Sequence, residues 1–486
     1  MAEPTASRPV FRRDEIQAFR FVRCGFDALT GVASLAYAFD DGPELVETVR
    51  IPGAPFMLDG ARAAAVEQSL RLLHLIAGVS YYKAAVPPQI QIDSYSIDAA
   101  TAAFLTEVYE NGLGEFAYRN GLSLRGKIVF PSDGVPSPHP SPEGRGSQDS
   151  VPSPSGRRWP AGPDEGSSHA ARLNLRHHAL VAIGGGKDSL VSIEALRKAN
   201  VAQTVTWIGS SPLIKACAER TGLPMLNIER KLAPELFEMN KQGALNGHIP
   251  VTAVNSAILA LAALLVDADQ VVFSNERSAS YGSLIPGTGE VNHQWSKGWQ
   301  FERDFAAHLR KRVASELSYY SLLRPFSELA VARQFAKTDY YDAHFSSCNR
   351  NFHILGERPT QRWCGVCPKC HFVFLALAPF MPKPRLLNIF GRNLLDEPEQ
   401  AAGFDALLEF QDHKPFECVG EGKESRAAMA LLADSPSWRE DALVSRFARD
   451  IRPQLDAGEL PLAPLLVASG EHGIPADLWS ALRANF

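Results

Sequence analysis

The 486-residue chain has no apolar run long enough for a bilayer: its most apolar stretch, Ala257 to Val266, falls well short of the ~20 residues a spanning helix needs and is followed at once by Asp267 and Asp269. That stretch reads as a buried core helix, and membrane insertion is excluded. An apolar signal core is missing too, since Met1 to Asp14 is polar and carries Pro4, Arg8, Arg12 and Arg13, so a cytoplasmic location is expected. Positive charge is not in excess: 49 Lys and Arg stand against 54 Asp and Glu, a net −5, which argues against a nucleic-acid surface spread over the molecule. Cysteine is scarce, and four of the seven lie between Cys348 and Cys370, unlike a secreted disulfide framework.

What is present is ordinary globular composition, 45% hydrophobic and 21% charged, in a chain long enough for several domains. Residues 1–130 read as an α+β domain. Phe19 to Phe26, Gly31 to Phe39 and Leu45 to Ile51 look like meandering strands, and Ala61 to Ala77 and Asp98 to Tyr109 carry helical apolar stripes. Between those helices, Ser80-Tyr81-Tyr82-Lys83 is either a charged-ligand site or two packed tyrosines beside a lysine. Residues 131–172 turn abruptly to Pro, Ser, Gly and Arg, a composition that cannot bury a core and predicts a disordered insertion.

Residues 173–345 alternate strand and helix patterns, which predicts a doubly wound parallel sheet. Ligands in that architecture bind at the carboxyl ends of the strands. The loops 184–189, 209–211, 229–231 and 274–280 are therefore expected to face a ligand, with Asn246-Gly-His248-Ile-Pro250 at the rim. The first of them is the most specific signal in the chain. Gly184-Gly185-Gly186-Lys187-Asp188-Ser189 follows the apolar Leu180 to Ile183 and opens a helix. Its glycines let consecutive N–H groups approach a polyanion at a helix N-terminus, Lys187 adds a mobile positive charge and Ser189 a hydroxyl. The spacing fits neither the Walker nor the dinucleotide pattern. His248, Glu276 and His293 are the acid–base candidates, and Arg220, Arg230, Arg277 and Lys83 could pair with carboxylates or a diphosphate.

In the final segment, 346–486, Cys348, Cys364, Cys367 and Cys370 give a C-x15-C-x2-C-x2-C arrangement whose thiolates suit one tetrahedral metal, zinc or an iron–sulfur cluster. Cys24, Cys217 and Cys418 are isolated and read as packing residues.

The glycine loop resembles the PP-loop of ATP pyrophosphatases, usually Ser-Gly-Gly-x-Asp-Ser, with Gly184 in place of the serine. That resemblance implies cleavage of ATP to AMP and pyrophosphate. It also runs to relatives with a zinc-bearing C-terminal cysteine cluster, so structural Zn²⁺ is the expected metal. The combination with Arg362-Trp-Cys-Gly-Val-Cys-Pro-Lys-Cys370, Phe390-Gly-Arg-Asn-Leu-Leu-Asp396 and Lys414-Pro-Phe-Glu-Cys-Val-Gly420 resembles the MurL family of UDP-N-acetylmuramoyl-L-alanyl-L-glutamate epimerases. What this implies is ATP- and Mg²⁺-dependent inversion of the terminal glutamate of a UDP-linked muramoyl dipeptide through an acyl-adenylate, for peptidoglycan synthesis. Gly184, Gly185, Gly186 and Ser189 would then hold phosphates, Lys187 would neutralise pyrophosphate and Asp188 would position Mg²⁺. The competing expectations are a PP-loop enzyme modifying tRNA or a deazapurine base, and a non-catalytic nucleotide sensor.

Overall fold

The computed structural model describes residues 11–133, 170–285, 289–352, 358–410, 414–484 and 486. Most of the Pro/Ser-rich insertion expected at 131–172 therefore lies outside the described residues. The strands are β1 (Ala18–Asp27), β2 (Val32–Phe39), β3 (Leu45–Arg50), β4 (Gln89–Ile92), β5 (Arg176–Ala182), β6 (Gln203–Ile208), β7 (Met225–Lys231), β8 (Ala268–Phe273), β9 (Ser283–Ile285), β10 (Gly289–Val291) and β11 (Ser318–Ser321). Nine of them form one sheet in the order β11-β8-β5-β6-β7-β3-β2-β1-β4, and β9 with β10 makes a separate ribbon.

The fold is mixed α/β with a parallel-dominated sheet. Strands β11, β8, β5, β6 and β7 pair in parallel, as expected where each is followed by a crossover helix. The N-terminal meander continues this sheet. Thr48, Val49 and Arg50 of β3 pair antiparallel with Lys231, Arg230 and Glu229 of β7. The residues 229–231, expected as a ligand-facing loop, are therefore strand, because a second strand was available to satisfy their backbone groups.

Side chains alternate across the sheet and feed two cores. Leu180 and Val271 pack with the helices Gly60–Ala77, Ala99–Gly112, Val251–Leu265 and Trp299–Arg312 on one face. Val181 and Val272 pack on the other, against Lys187–Lys198, Glu328–Ala336 and the C-terminal helices. The apolar stretch at 257–266 lies almost wholly in the buried helix Val251–Leu265, and no helix among the described residues is long and apolar enough to cross a membrane.

Where meander and parallel sheet join, fully buried Glu47 takes Nε of Arg230 at 2.6 Å and Nη2 at 3.2 Å, and Arg230 also donates to Ser80 Oγ. Tyr81 and Tyr82 are packed, with Tyr81 Oη accepting the Ala233 N–H. Truncating one partner strands the other's charge in the core, so Glu47→Ala is expected to lose about 3–5 kcal/mol. Urea unfolding followed by circular dichroism reads this directly; a loss below about 1 kcal/mol would show the pair to be solvated.

Candidate active site

The glycine loop sits at the carboxyl end of β5, as its sequence implied. Gly185 has φ +80, which only glycine adopts without strain, and its carbonyl accepts Ser346 N–H at 2.8 Å. A Cβ on Gly186 would lie 3.3 Å from Ser347, whereas Gly184 opens onto free space. Gly186 caps the helix Lys187–Lys198, so the free N–H groups of its first turn converge on the loop. Ser189 Oγ donates to Gly186 O at 3.1 Å.

Lys187 is not the mobile charge the sequence implied. It is 1% exposed and its Nζ donates to both Asp188 and Glu328. Burial disfavours its charge, but the two carboxylates outweigh that and hold its pKa above the ordinary lysine range. Burial pushes Glu328 up to about 7, against the pull of Lys187. Glu276 is raised by burial and by Asp188. For Asp188, burial is outweighed by Lys187, Lys369 and Lys297, and its carboxyl stays ionised.

Glu276 and Lys297 are presented by turns after β8 and β10, and one buried arginine ties those turns together. Arg324 donates to Glu276 O at 2.8 Å and to Lys297 O, and is neutralised by Glu302 at 2.9 Å. Asn275 Nδ2 on Ser321 Oγ, 3.0 Å, joins the ends of β8 and β11 beneath them.

The structure brings His248 and His293 together, with ring centroids 4.0 Å apart. His293 Nδ1 bonds Glu115, which His248 Nδ1 approaches at 4.0 Å, while Arg119 grips the same carboxylate. Glu276 belongs instead to the group around the glycine loop. The His248 rim is set by Gly247, whose would-be Cβ lies 3.1 Å from Phe116, and by Asn246, held by Lys83 at 2.7 Å. Burial lowers His248 to about 4. For His293 burial pulls down, but Cys418 and Glu115 raise it to about 9.

These shifts have opposite consequences for stability. His293 contributes stability that is complete below its unfolded value of 6.5 and fades as pH rises through 9. His248 costs stability as pH falls from 6.5 towards 4, because only the unfolded chain takes up its proton there. Thermal midpoints should therefore peak near about pH 7, with the alkaline fall shrinking in His293→Asn and the acid fall in His248→Asn. Unchanged profiles in both variants would refute the assignment.

The cysteines Cys348, Cys364, Cys367 and Cys370 converge with all four sulfurs within 4.8 Å of one another. A tetrahedral zinc with bonds of about 2.3 Å would space its sulfurs about 3.8 Å apart; Cys364 and Cys370 stand 3.7 Å apart, and Cys367 and Cys370 3.5 Å. The donor set fits a metal. Its placement also matters to the loop, because Cys348 directly follows the segment 346–347 packed on Gly185 and Gly186. Lys369, between two of the cysteines, reaches Cys418 O and lies 4.0 Å from Glu328.

Several of the proposed anion-binding cations are otherwise engaged. Arg230 serves Glu47, Arg220 stacks 3.7 Å over Tyr340, and Arg277 bonds Ser469. Burial lowers Lys83 to about 8. The sequence did not single out Glu115, Glu328 or Arg324, which lie on ordinary helical or turn patterns far from the loop, and gave no role to Lys297 or to Lys369 within the cysteine motif. Cys418 was expected to be packing, and its Sγ instead accepts from Lys297 Nζ at 3.0 Å.

A buried acid–base cluster beside a glycine-rich helix N-terminus, at the carboxyl ends of parallel strands, defines an enzyme of the α/β class. The chain belongs to the MurL family, and with it is an epimerase: the MurL N-terminal domain matches residues 10–322 and the MurL C-terminal domain residues 344–460. It is 69% identical, over 98% of its length and 99% of the relative's, to the UDP-N-acetyl-alpha-D-muramoyl-L-alanyl-L-glutamate epimerase of Xanthomonas oryzae pv. oryzae. A protein of the same name from a Micromonospora species is 40% identical over 96% of this chain and 98% of that one.

Proposed function

We propose that this protein inverts the terminal L-glutamate of UDP-N-acetylmuramoyl-L-alanyl-L-glutamate to the D form, with ATP cleaved to AMP and pyrophosphate. The observation that carries the substrate is the 69% identity over nearly the full length of both chains with the Xanthomonas epimerase. The site chemistry supports the ATP step. An α-proton beside a free carboxylate resists removal, since the carbanion would form next to a negative charge. Adenylating the carboxylate removes that charge and gives the electron pair a carbonyl to enter.

In this scheme Gly184, Gly185, Gly186 and Ser189 receive the phosphates at the helix N-terminus, and Asp188 would hold Mg²⁺, which would offset charge on the phosphates. Glu276 lines the same site. His248 and His293, beside Glu115, serve proton transfer. Cys348, Cys364, Cys367 and Cys370 would hold zinc, which would fix 346–347 against the glycine loop.

Incubation with ATP, Mg²⁺ and the dipeptide substrate should yield AMP together with D-glutamate after acid hydrolysis. AMP without inversion would point to another adenylating enzyme, such as one acting on RNA or a deazapurine, and nucleotide binding without AMP to a sensor. Chelation of the metal is expected to lower the thermal midpoint and the epimerase rate together, with zinc restoring both. Elemental analysis of protein purified without chelator that found no metal would end the zinc assignment.

A further inference from the structure

Cys418 lies in the motif at 414–420, which phosphate binding does not use. Its half-buried sulfur accepts from Lys297 Nζ at 3.0 Å and touches the imidazole of His293, whose Nδ1 is bonded to Glu115. Lys369 donates to its carbonyl oxygen and fixes the backbone. Glu276 and Asp188 help to hold Lys297 charged, and Arg324 bonds the carbonyls of both Glu276 and Lys297, which ties the thiol's partner to the acidic group at the glycine loop. That is where chemistry at the α-carbon needs a base, because this carbon is bonded directly to the carboxyl carbon that is activated there.

We propose that Cys418 is a catalytic residue of the epimerisation, transferring the proton on one face of the glutamyl α-carbon, with Lys297 holding the thiolate and the Glu115–His293 pair exchanging its proton. The proposal rests on the adenylate reading for the acidity of that carbon. The C–H bond breaks, its electron pair moves to the carbonyl oxygen as an enolate, and the proton becomes the S–H of Cys418. Water protonates the opposite face, and the thiol proton returns through His293 to the hydroxide left behind, so that thiolate and water are both regenerated. The electrostatics agree: burial would raise the thiol, but Lys297, His293 and Lys369 hold it well below the usual range, against neighbouring Glu417, which is itself raised by burial. The packing role expected of an isolated cysteine would not place two cationic groups on its sulfur.

The test uses the full-length protein with its metal, and the variants Cys418→Ser and Cys418→Ala, in D₂O. Substrate-dependent AMP release should persist, while D-glutamate formation and deuterium incorporation at the α-carbon fall about a hundredfold or more. Inversion within about threefold of wild type would overturn the proposal, as would equal losses of AMP and inversion in a variant with the wild-type thermal midpoint. Should the variants not fold, iodoacetamide is applied to the wild type and modification mapped by peptide mass. Loss of inversion must track alkylation of Cys418, with a pH midpoint below the ~8.5 of a free thiol and a higher one in Lys297→Met. An alkylated Cys418 enzyme that still inverts would overturn it. A wild type that inverts without making AMP would remove the adenylate alone, leaving Cys418 to be judged on deuterium incorporation.

Discussion

Asp188→Ala is expected to lower substrate-dependent AMP release by about 10²–10³-fold or more, and inversion with it. Of the carboxylates around Lys187, Glu328 has a side chain only 1% exposed and Asp188 one that is 23% exposed. Asp188 can therefore face a ligand. It also lies in the first turn of the helix whose N-terminus forms the glycine loop, where under the proposed function it would hold Mg²⁺. Its carboxyl is kept ionised by Lys187, Lys369 and Lys297 despite burial, as a metal-holding oxygen must be. Single-turnover AMP formation and the D-glutamate yield check this. Asp188→Asn separates charge from shape and should be nearly as defective. Near-normal epimerisation in Asp188→Ala would defeat the assignment.

A loss of stability as large as that of Glu47→Ala is expected from Lys187→Met. The ammonium joins Asp188 to Glu328 in a region that also holds Glu276. Removing it leaves acids facing one another without their central cation, a loss of about 3–5 kcal/mol. For a chain of this size that corresponds to a fall in thermal midpoint of roughly 3–5 degrees. Burial already pushes Glu328 up to about 7 with the lysine in place, so in the variant it should take up a proton at still higher pH. The check is a double-mutant cycle: Glu328→Gln in the Lys187→Met background should restore part of the loss, whereas additive effects would show the two residues to be independent.

The local part of the site was legible because its chemistry and its geometry lie in the same few residues. Gly184 to Ser189 needs only a strand before it and a helix after it, and β5 and the helix Lys187–Lys198 supply both. The cysteine spacing was legible for the same reason. His248 and His293 were each recognisable only as polar residues near a strand end or turn. Their contact depends on the helix Gly114–Arg119 delivering Glu115 from far along the chain. Residues 229–231 looked like a loop because nothing local shows that β3 would pair with β7. Cys418 looked like packing because its meaning depends on Lys297, 121 residues away.

The sequence by itself determined the alternation of strands and helices, the glycine-rich strand-to-helix loop, the four-cysteine cluster and, through its family motifs, the class of reaction. These are properties of short windows, written in hydrophobic period, glycine placement and ligand spacing. Only the tertiary structure decided that the N-terminal meander extends the parallel sheet, that Lys187 is locked between two acids, and that Glu115, His248, His293, Lys297 and Cys418 form one cluster. The charge state of each of those groups is set by burial and by neighbours brought from distant segments, which one-dimensional spacing does not encode.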